Sequence, residues 1–142
     1  FNANAGTLLS ISNMPFVGGT GFPGTVAIDN GVMSNAMYMY ILDSGSDQKS
    51  MGLYNGGVQQ AAYYGAAYSA GSTTKQGLAY AVNNVIAAAD GTLSTLDTNA
   101  TIPTVTQLRV GATYSAALNG HSEKVKYYPA RVPDAQLQLL TQ

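Results

Sequence analysis

At 142 residues the chain has the length of one domain and can bury a core without disulfides or metal. Only 9% of its residues are charged and its formal net charge is −1, which argues against duplex DNA or an anionic membrane as a partner, since both demand a dense basic surface; no run of eighteen apolar residues predicts membrane insertion. Cysteine is absent, so there is neither a disulfide framework nor a thiolate metal site, and a start at Phe1 without a basic-then-apolar leader is expected of the C-terminal part of a longer chain.

Residues 6–13 alternate, with Leu9 and Ile11 on one side and Leu8, Ser10 and Ser12 on the other, as a first strand would. Between Pro15 and Gly24 the glycines and prolines are loop chemistry; neither a Lys-Ser/Thr pair nor a helix follows, so GGTGFPG is no phosphate cradle. Thr25 to Asp29 places Val26 and Ile28 on one face ahead of an Asp29-Asn30-Gly31 turn. Ala36 to Leu42 is the clearest strand: Met37, Met39 and Ile41 share one face, and Tyr38, Tyr40 and Leu42 the other. Such a strand is buried on one side and covered by Tyr on the other.

A polar turn over 43–49 leads to a strand at 51–54, and Asn55-Gly56-Gly57 turns the chain into 58–68. That Ala- and Tyr-rich run has helical propensity, but the surrounding rhythm reads as strand. Residues 77–83 and 85–89 alternate about an Asn83-Asn84 turn, and Asp90-Gly91 turns the chain toward 93–96, the signal of hairpins. Thr104 to Gly111 places Thr106, Leu108 and Val110 inward and Val105, Gln107 and Arg109 outward. Asn119-Gly120 then opens a strand from His121 to Tyr128, closed by Pro129, and Pro133-Asp134 introduces Gln136, Leu137, Leu139 and Leu140 as a short helix. About ten or eleven short strands with one terminal helix, and no repeat or linker, predict an all-β antiparallel sandwich as a single domain over 1–142.

The run LNGHSEKVKYYPARVPDAQLQLLT, residues 118–141, combines an LNGH turn, a basic strand ending in Tyr-Tyr-Pro, an Arg and a closing helix. It resembles the C-terminal signature of concanavalin A-like (laminin-G-like) β-sandwich domains in bacteriophage tail fibres and tailspikes. FNANAGTLLSIS resembles the first strand of the same domain and IPTVTQLRVGATY its late strand and Gly-containing loop, so the resemblance covers roughly a third of the chain. It implies a jelly-roll-like sandwich of the lectin/glucanase type in the virion, on the phage tail or capsid surface. It further implies host-surface glycan and other virion subunits as partners, with a homo-trimer in the parent protein. Two positions depart from the family: Ser122 stands where an Ile is usual, weakening the apolar face there, and Pro133 where a Ser or Thr cap is usual. Pro is compatible with a helix start because its missing N–H would have had no partner.

Glucanases share this architecture, so catalysis is a direct question. Glycoside hydrolysis needs two carboxyl groups flanking one bond, and the chain has one Glu, Glu123, and six scattered Asp, mostly in turns. His121 lacks a nucleophile elbow and is expected to hydrogen-bond backbone at the sandwich corner. The expectation is a non-enzymatic domain with no cofactor. DSGSDQ, with Asp43, Gly45 and Asp47, offers at most a weak calcium rim, since Tyr54 stands where an EF-hand would place its Glu. Lys124 and Lys126 on alternate strand positions protect an edge rather than read a ligand; an acidic-glycan contact involving them, Arg109 and Arg131 is the lesser alternative.

The ten tyrosines, without tryptophan, are the compositional feature that fits binding. A Tyr ring stacks on the C–H face of a sugar while its hydroxyl reaches a ring oxygen, and it loses little entropy in doing so. Tyr38, Tyr40, Tyr54, Tyr63 and Tyr64 are the candidate ligand-binding residues, with Tyr68 on the same expected exposed surfaces. The alternative is a structural module whose Tyr faces cover a sheet or pack against neighbouring copies as it trimerises or caps the fibre, or decorates the capsid.

Overall fold

The computed structural model describes residues 2–15, 22–42, 47–114 and 116–142. In chain order these form β1 (Ala5–Asn13), β2 (Gly24–Asp29), β3 (Ala36–Leu42), β4 (Gln48–Asn55), β5 (Val58–Ala67), β6 (Thr73–Ala81), β7 (Asn84–Ala89), β8 (Thr92–Leu93), β9 (Gln107–Val110), β10 (His121–Tyr128) and α1 (Asp134–Leu140). Two antiparallel sheets result, ordered β10-β1-β6-β7-β8 and β5-β4-β3-β2-β9. The predicted all-β sandwich with a short C-terminal helix is the observed architecture.

Alternation along each strand decides what lies between the sheets. Leu8, Leu78, Tyr80, Val85 and Ala87 from the first sheet meet Val26, Ile28, Met37, Met39, Met51 and Leu53 from the second, and most of these are fully buried. The opposite face of the first sheet is buried too, because α1 lies on it. Leu137 reaches Leu9, Ala79, Ile86 and Ala88 there, with Val132 closing the layer. The two sides of β1 read from the sequence are therefore both buried, one under the second sheet and one under the helix.

The strand-to-helix corner is held by polar bonds rather than by a cap. Thr7 Oγ1 donates to the Ala130 carbonyl at 3.0 Å and accepts from the Val132 N–H at 3.0 Å. Arg131 donates to the carbonyls of Asn84 and Val132 and pairs with Asp134 at 2.6 Å. Pro133 precedes the helix with no side-chain cap, and Asp134 supplies the negative charge that a helix N-terminus favours.

Several expectations shift in detail. The run 58–67 is strand, despite its helical propensity. The β6–β7 turn is centred on Val82-Asn83, because Ala81 pairs with Asn84, and Asn83 takes the left-handed conformation at φ 55°. Asp90-Gly91 does turn β7 into β8, with both residues at positive φ (46° and 76°), the signature of a type I′ hairpin, but the strand it enters is only two residues long. Val105, read as outward, is buried in the inter-sheet core, because β9 begins only at Gln107 and the alternation does not extend back to it. Tyr68 is buried as well: its hydroxyl accepts from the Met14 N–H and donates toward the carbonyls of Met14 and Ser72. His121 is exposed at the start of β10 opposite Asn13, and its ring makes no hydrogen bond among the described residues. Lys124 and Lys126 lie on β10, the edge strand of its sheet. Of the loop considered for calcium, Asp43 and Gly45 lie outside the described residues, as do residues 18–21 of GGTGFPG.

Candidate functional site

Three cross-strand rows build the outer face of the second sheet. The first runs Ala62, Gly52, Tyr38, Ala27, Arg109; the second Gln59, Tyr54, Ala36, Asp29, Gln107; the third Tyr64, Ser50, Tyr40. Small residues flank the rings in these rows: Gly52 and Ala27 beside Tyr38, Ala36 beside Tyr54, and Ser50 between Tyr64 and Tyr40. A Cβ on Gly52 would come within 3.0 Å of the Tyr38 ring, so the glycine supplies the space into which that ring leans.

The rings then contact one another. Tyr38 stacks on Tyr54 with centroids 5.8 Å apart and planes 16° apart, and meets Tyr40 at 5.2 Å. Phe22, from the segment before β2, sets its edge on Tyr40 at 5.6 Å. Tyr38 and Tyr40, expected on an exposed face, are only 6% and 5% exposed because they pack on each other and on Tyr54 and Phe22; they form a floor, whereas Tyr64 at 53% and Tyr114 at 54% stand as walls. Together these rings and Thr113 enclose a pocket of about 200 Å³. Tyr54 is oriented by Gln59, whose Nε2 donates to its hydroxyl at 2.9 Å.

Electrostatics inside the pocket favour neutral phenols. Burial, and next the neighbouring Tyr54, pushes the Tyr38 phenol far above its ordinary value, and burial followed by the proximity of Tyr64 does the same to Tyr40. Both remain protonated hydroxyls over the whole physiological range. At one end Asp29 is fully buried, yet Arg109 Nε donates to Oδ2 at 2.6 Å, while Oδ1 accepts from the Gly31 N–H at 2.7 Å and from Gln107 Nε2. Burial works against the charged carboxylate, but these hydrogen bonds and the Arg109 charge outweigh it and hold Asp29 below its ordinary value. The Arg109 guanidinium in turn lies 6.0 Å over the Tyr114 ring.

Four of the five sequence-predicted tyrosines, Tyr38, Tyr40, Tyr54 and Tyr64, converge on this pocket. Tyr63 does not. It pairs with Met51 and faces between the sheets, packed against the core, because neighbours on a strand point to opposite sides. Burial, and next the Asp90 charge, raises its phenol. Phe22, Thr113 and Tyr114 were not singled out from sequence; they arrive from segments flanking β2 and β9. Tyr114 does fall within the late-strand motif, three residues after Gly111.

Among the described residues the lining holds one carboxylate, Asp29, which is buried and paired, and hydrolysis of a glycosidic bond needs two. No group of three or more His, Cys, Asp or Glu suited to a metal occurs among the described residues. What the pocket offers is aromatic faces and phenol hydroxyls.

No protein-family model matches the sequence, and no curated protein matches it. The fold does have solved counterparts. The chain superposes on the CBM40 module of a Ruminococcus gnavus IT-sialidase bound to α2,6 sialyllactose with a TM-score of 0.76 and 16% identity, over 99% of this chain and 85% of that one. The same module bound to α2,3 sialyllactose gives the same values over 84% of that chain. A leech intramolecular trans-sialidase complexed with 2,7-anhydro-Neu5Ac matches with a TM-score of 0.74 and 16% identity, over 99% of this chain but 23% of the enzyme. This chain therefore has the β-sandwich fold of carbohydrate-binding modules, and it corresponds in extent to the isolated module rather than to the whole trans-sialidase.

Proposed function

We propose that the chain is a non-catalytic carbohydrate-binding module that holds a glycan in the Tyr38–Tyr40–Tyr54–Tyr64–Tyr114 pocket. The observation that carries this reading is the convergence of these rings on one face of one sheet, where Tyr64 and Tyr114 stand exposed beside the buried floor of Tyr38 and Tyr40. Strands β3, β4 and β5 and the segment after β9 supply a floor and two exposed walls. Such a pocket suits the C–H face of a sugar ring, with phenol hydroxyls placed for its oxygens. The shared fold with modules solved in complex with sialyllactose supports it.

The C-terminal motif extends the reading to a biological setting: a domain of a phage tail fibre or tailspike, on the virion surface, that engages host-surface carbohydrate during attachment. A glycan array probed with the purified chain, followed by the same array with Tyr64→Ala, tests the binding. Binding of a defined glycan that is lost in the variant supports the module; an array without any bound glycan overturns it.

One feature favours a second, structural role. Leu108 and Val110 on the edge strand β9 are 51% and 56% exposed, an unprotected apolar edge of the kind that pairs with another chain. A light-scattering mass of a trimer that falls to a monomer in Leu108→Lys would place subunit contact there; a monomeric wild-type chain would argue against it.

A further inference from the structure

We infer that the pocket takes a neutral saccharide and discriminates against acidic ones; the inference rests on the glycan-binding reading above and narrows its ligand class. The sequence has six basic side chains, Lys49, Lys75, Arg109, Lys124, Lys126 and Arg131, all within the described residues.

Lys49 faces the inter-sheet side of β4, alternating with the outward Ser50, and pairs with Asp90 at 2.6 Å. Lys75 donates to the carbonyl of Gln142. Arg131 is committed to Asp134 and two carbonyls at the helix corner. Lys124 and Lys126 lie on β10, at the edge of the other sheet. That leaves Arg109 as the cation at the aromatic pocket, and it is already answered. Its Nε and one terminal nitrogen bond both oxygens of Asp29, whose carboxylate has no exposed surface.

A sugar carboxylate placed here would lose water and find aromatic carbon, protonated phenols and a cation whose charge is already balanced. Taking Arg109 for itself would leave the buried Asp29 carboxylate without its cation, held only by the Gly31 N–H and Gln107 Nε2, which is the expensive way to break an ion pair. Phenol hydroxyls do not replace the lost cation, because a buried charge needs a partner of opposite sign as well as hydrogen bonds. A neutral sugar meets none of these penalties. Its C–H face covers the rings and its hydroxyls find phenols that stay protonated. Binding driven in this way is insensitive to salt, whereas capture of an acidic sugar by a cation weakens as ionic strength rises.

The experiment is a calorimetric titration of the intact chain with two matched sets of probes. Lactose, maltotriose and tri-N-acetylchitotriose form the neutral set; sialyllactose and trigalacturonate form the acidic set. Each is measured at low and high sodium chloride, in wild type and in Tyr64→Ala. The expected result is that at least one neutral probe binds, loses about tenfold or more in Tyr64→Ala, changes less than about twofold with salt, and outbinds every acidic probe by about tenfold. An acidic probe that binds as well or better, sensitive to both Tyr64→Ala and salt, overturns the inference while leaving glycan binding intact. Failure of both sets, extended to the full array, overturns the glycan reading itself and the inference with it.

Discussion

Gly52 of β4 lies directly opposite Tyr38 of β3, and a Cβ there would stand 3.0–3.1 Å from the Tyr38 ring. The glycine thus sets the tilt of the ring that carries the pocket floor and stacks on Tyr54. Gly52→Ala forces that ring to give by a few tenths of an ångström. The expected cost in stability is about 1 kcal/mol, the low end for overpacking. The expected loss in glycan affinity is larger, about tenfold, because the stacked floor is displaced. Denaturant unfolding and calorimetry on the same variant check the contrast.

Tyr64 and Tyr38 line one pocket but do different work. Tyr64 stands mostly in solvent, so Tyr64→Ala leaves stability within about 0.5 kcal/mol of wild type while lowering affinity by about tenfold. Tyr38 is a buried ring in a cluster with Ala27, Ala36 and Tyr40, and Tyr38→Ala is expected to cost about 3–5 kcal/mol, as for other buried aromatics. Paired unfolding and binding curves separate the two.

Asp29 gives the fold an acid-sensitive joint. Its folded-state value lies below the ordinary 3.8, so its contribution to stability is complete above that value and is lost as pH falls through the lower folded value. Thermal melts of wild type are expected to fall away below about pH 4. In Asp29→Asn the midpoint starts lower and this part of the acid limb flattens. Equal slopes in the two proteins would remove Asp29 from the account.

At the alkaline end the sign reverses. The phenols of Tyr38, Tyr40 and Tyr80 are raised above the ordinary 10.0, chiefly by burial, so their stabilising effect is complete below that value and is lost as pH rises through the folded values. An ultraviolet absorbance titration should show Tyr38, Tyr40 and Tyr80 as a delayed group that ionises only as the chain unfolds. A single smooth titration of all ten would contradict the burial described here.

The two-residue period made most of the fold and part of the site legible. Met37 and Met39 against Tyr38 and Tyr40 fixed both faces of β3, and four of five chosen tyrosines share a pocket because that period held across β4 and β5. The same rule separates Tyr63 from Tyr64, and applying it to β5 would have left Tyr63 out. Other parts carried no local signal. Asp29 and Arg109 are eighty residues apart, and only the pairing of β2 with β9 joins them. Phe22 and Tyr114 enter from irregular segments, where alternation says nothing about direction. Tyr68 was misplaced for the same reason: it lies just past the end of β5, where the chain leaves the sheet and turns its ring into the core.

On the function proposed above, a saccharide binds the outer face of the second sheet at its tyrosine pocket. An NMR titration of the tyrosine ring resonances with a bound oligosaccharide tests this most directly. The signals of Tyr38, Tyr54, Tyr64 and Tyr114 are expected to shift together with saturation while those of Tyr63, Tyr68 and Tyr80 stay in place. Shifts confined to Tyr63 or to the β9 edge, or rings that do not respond to any saccharide the chain binds, would contradict it.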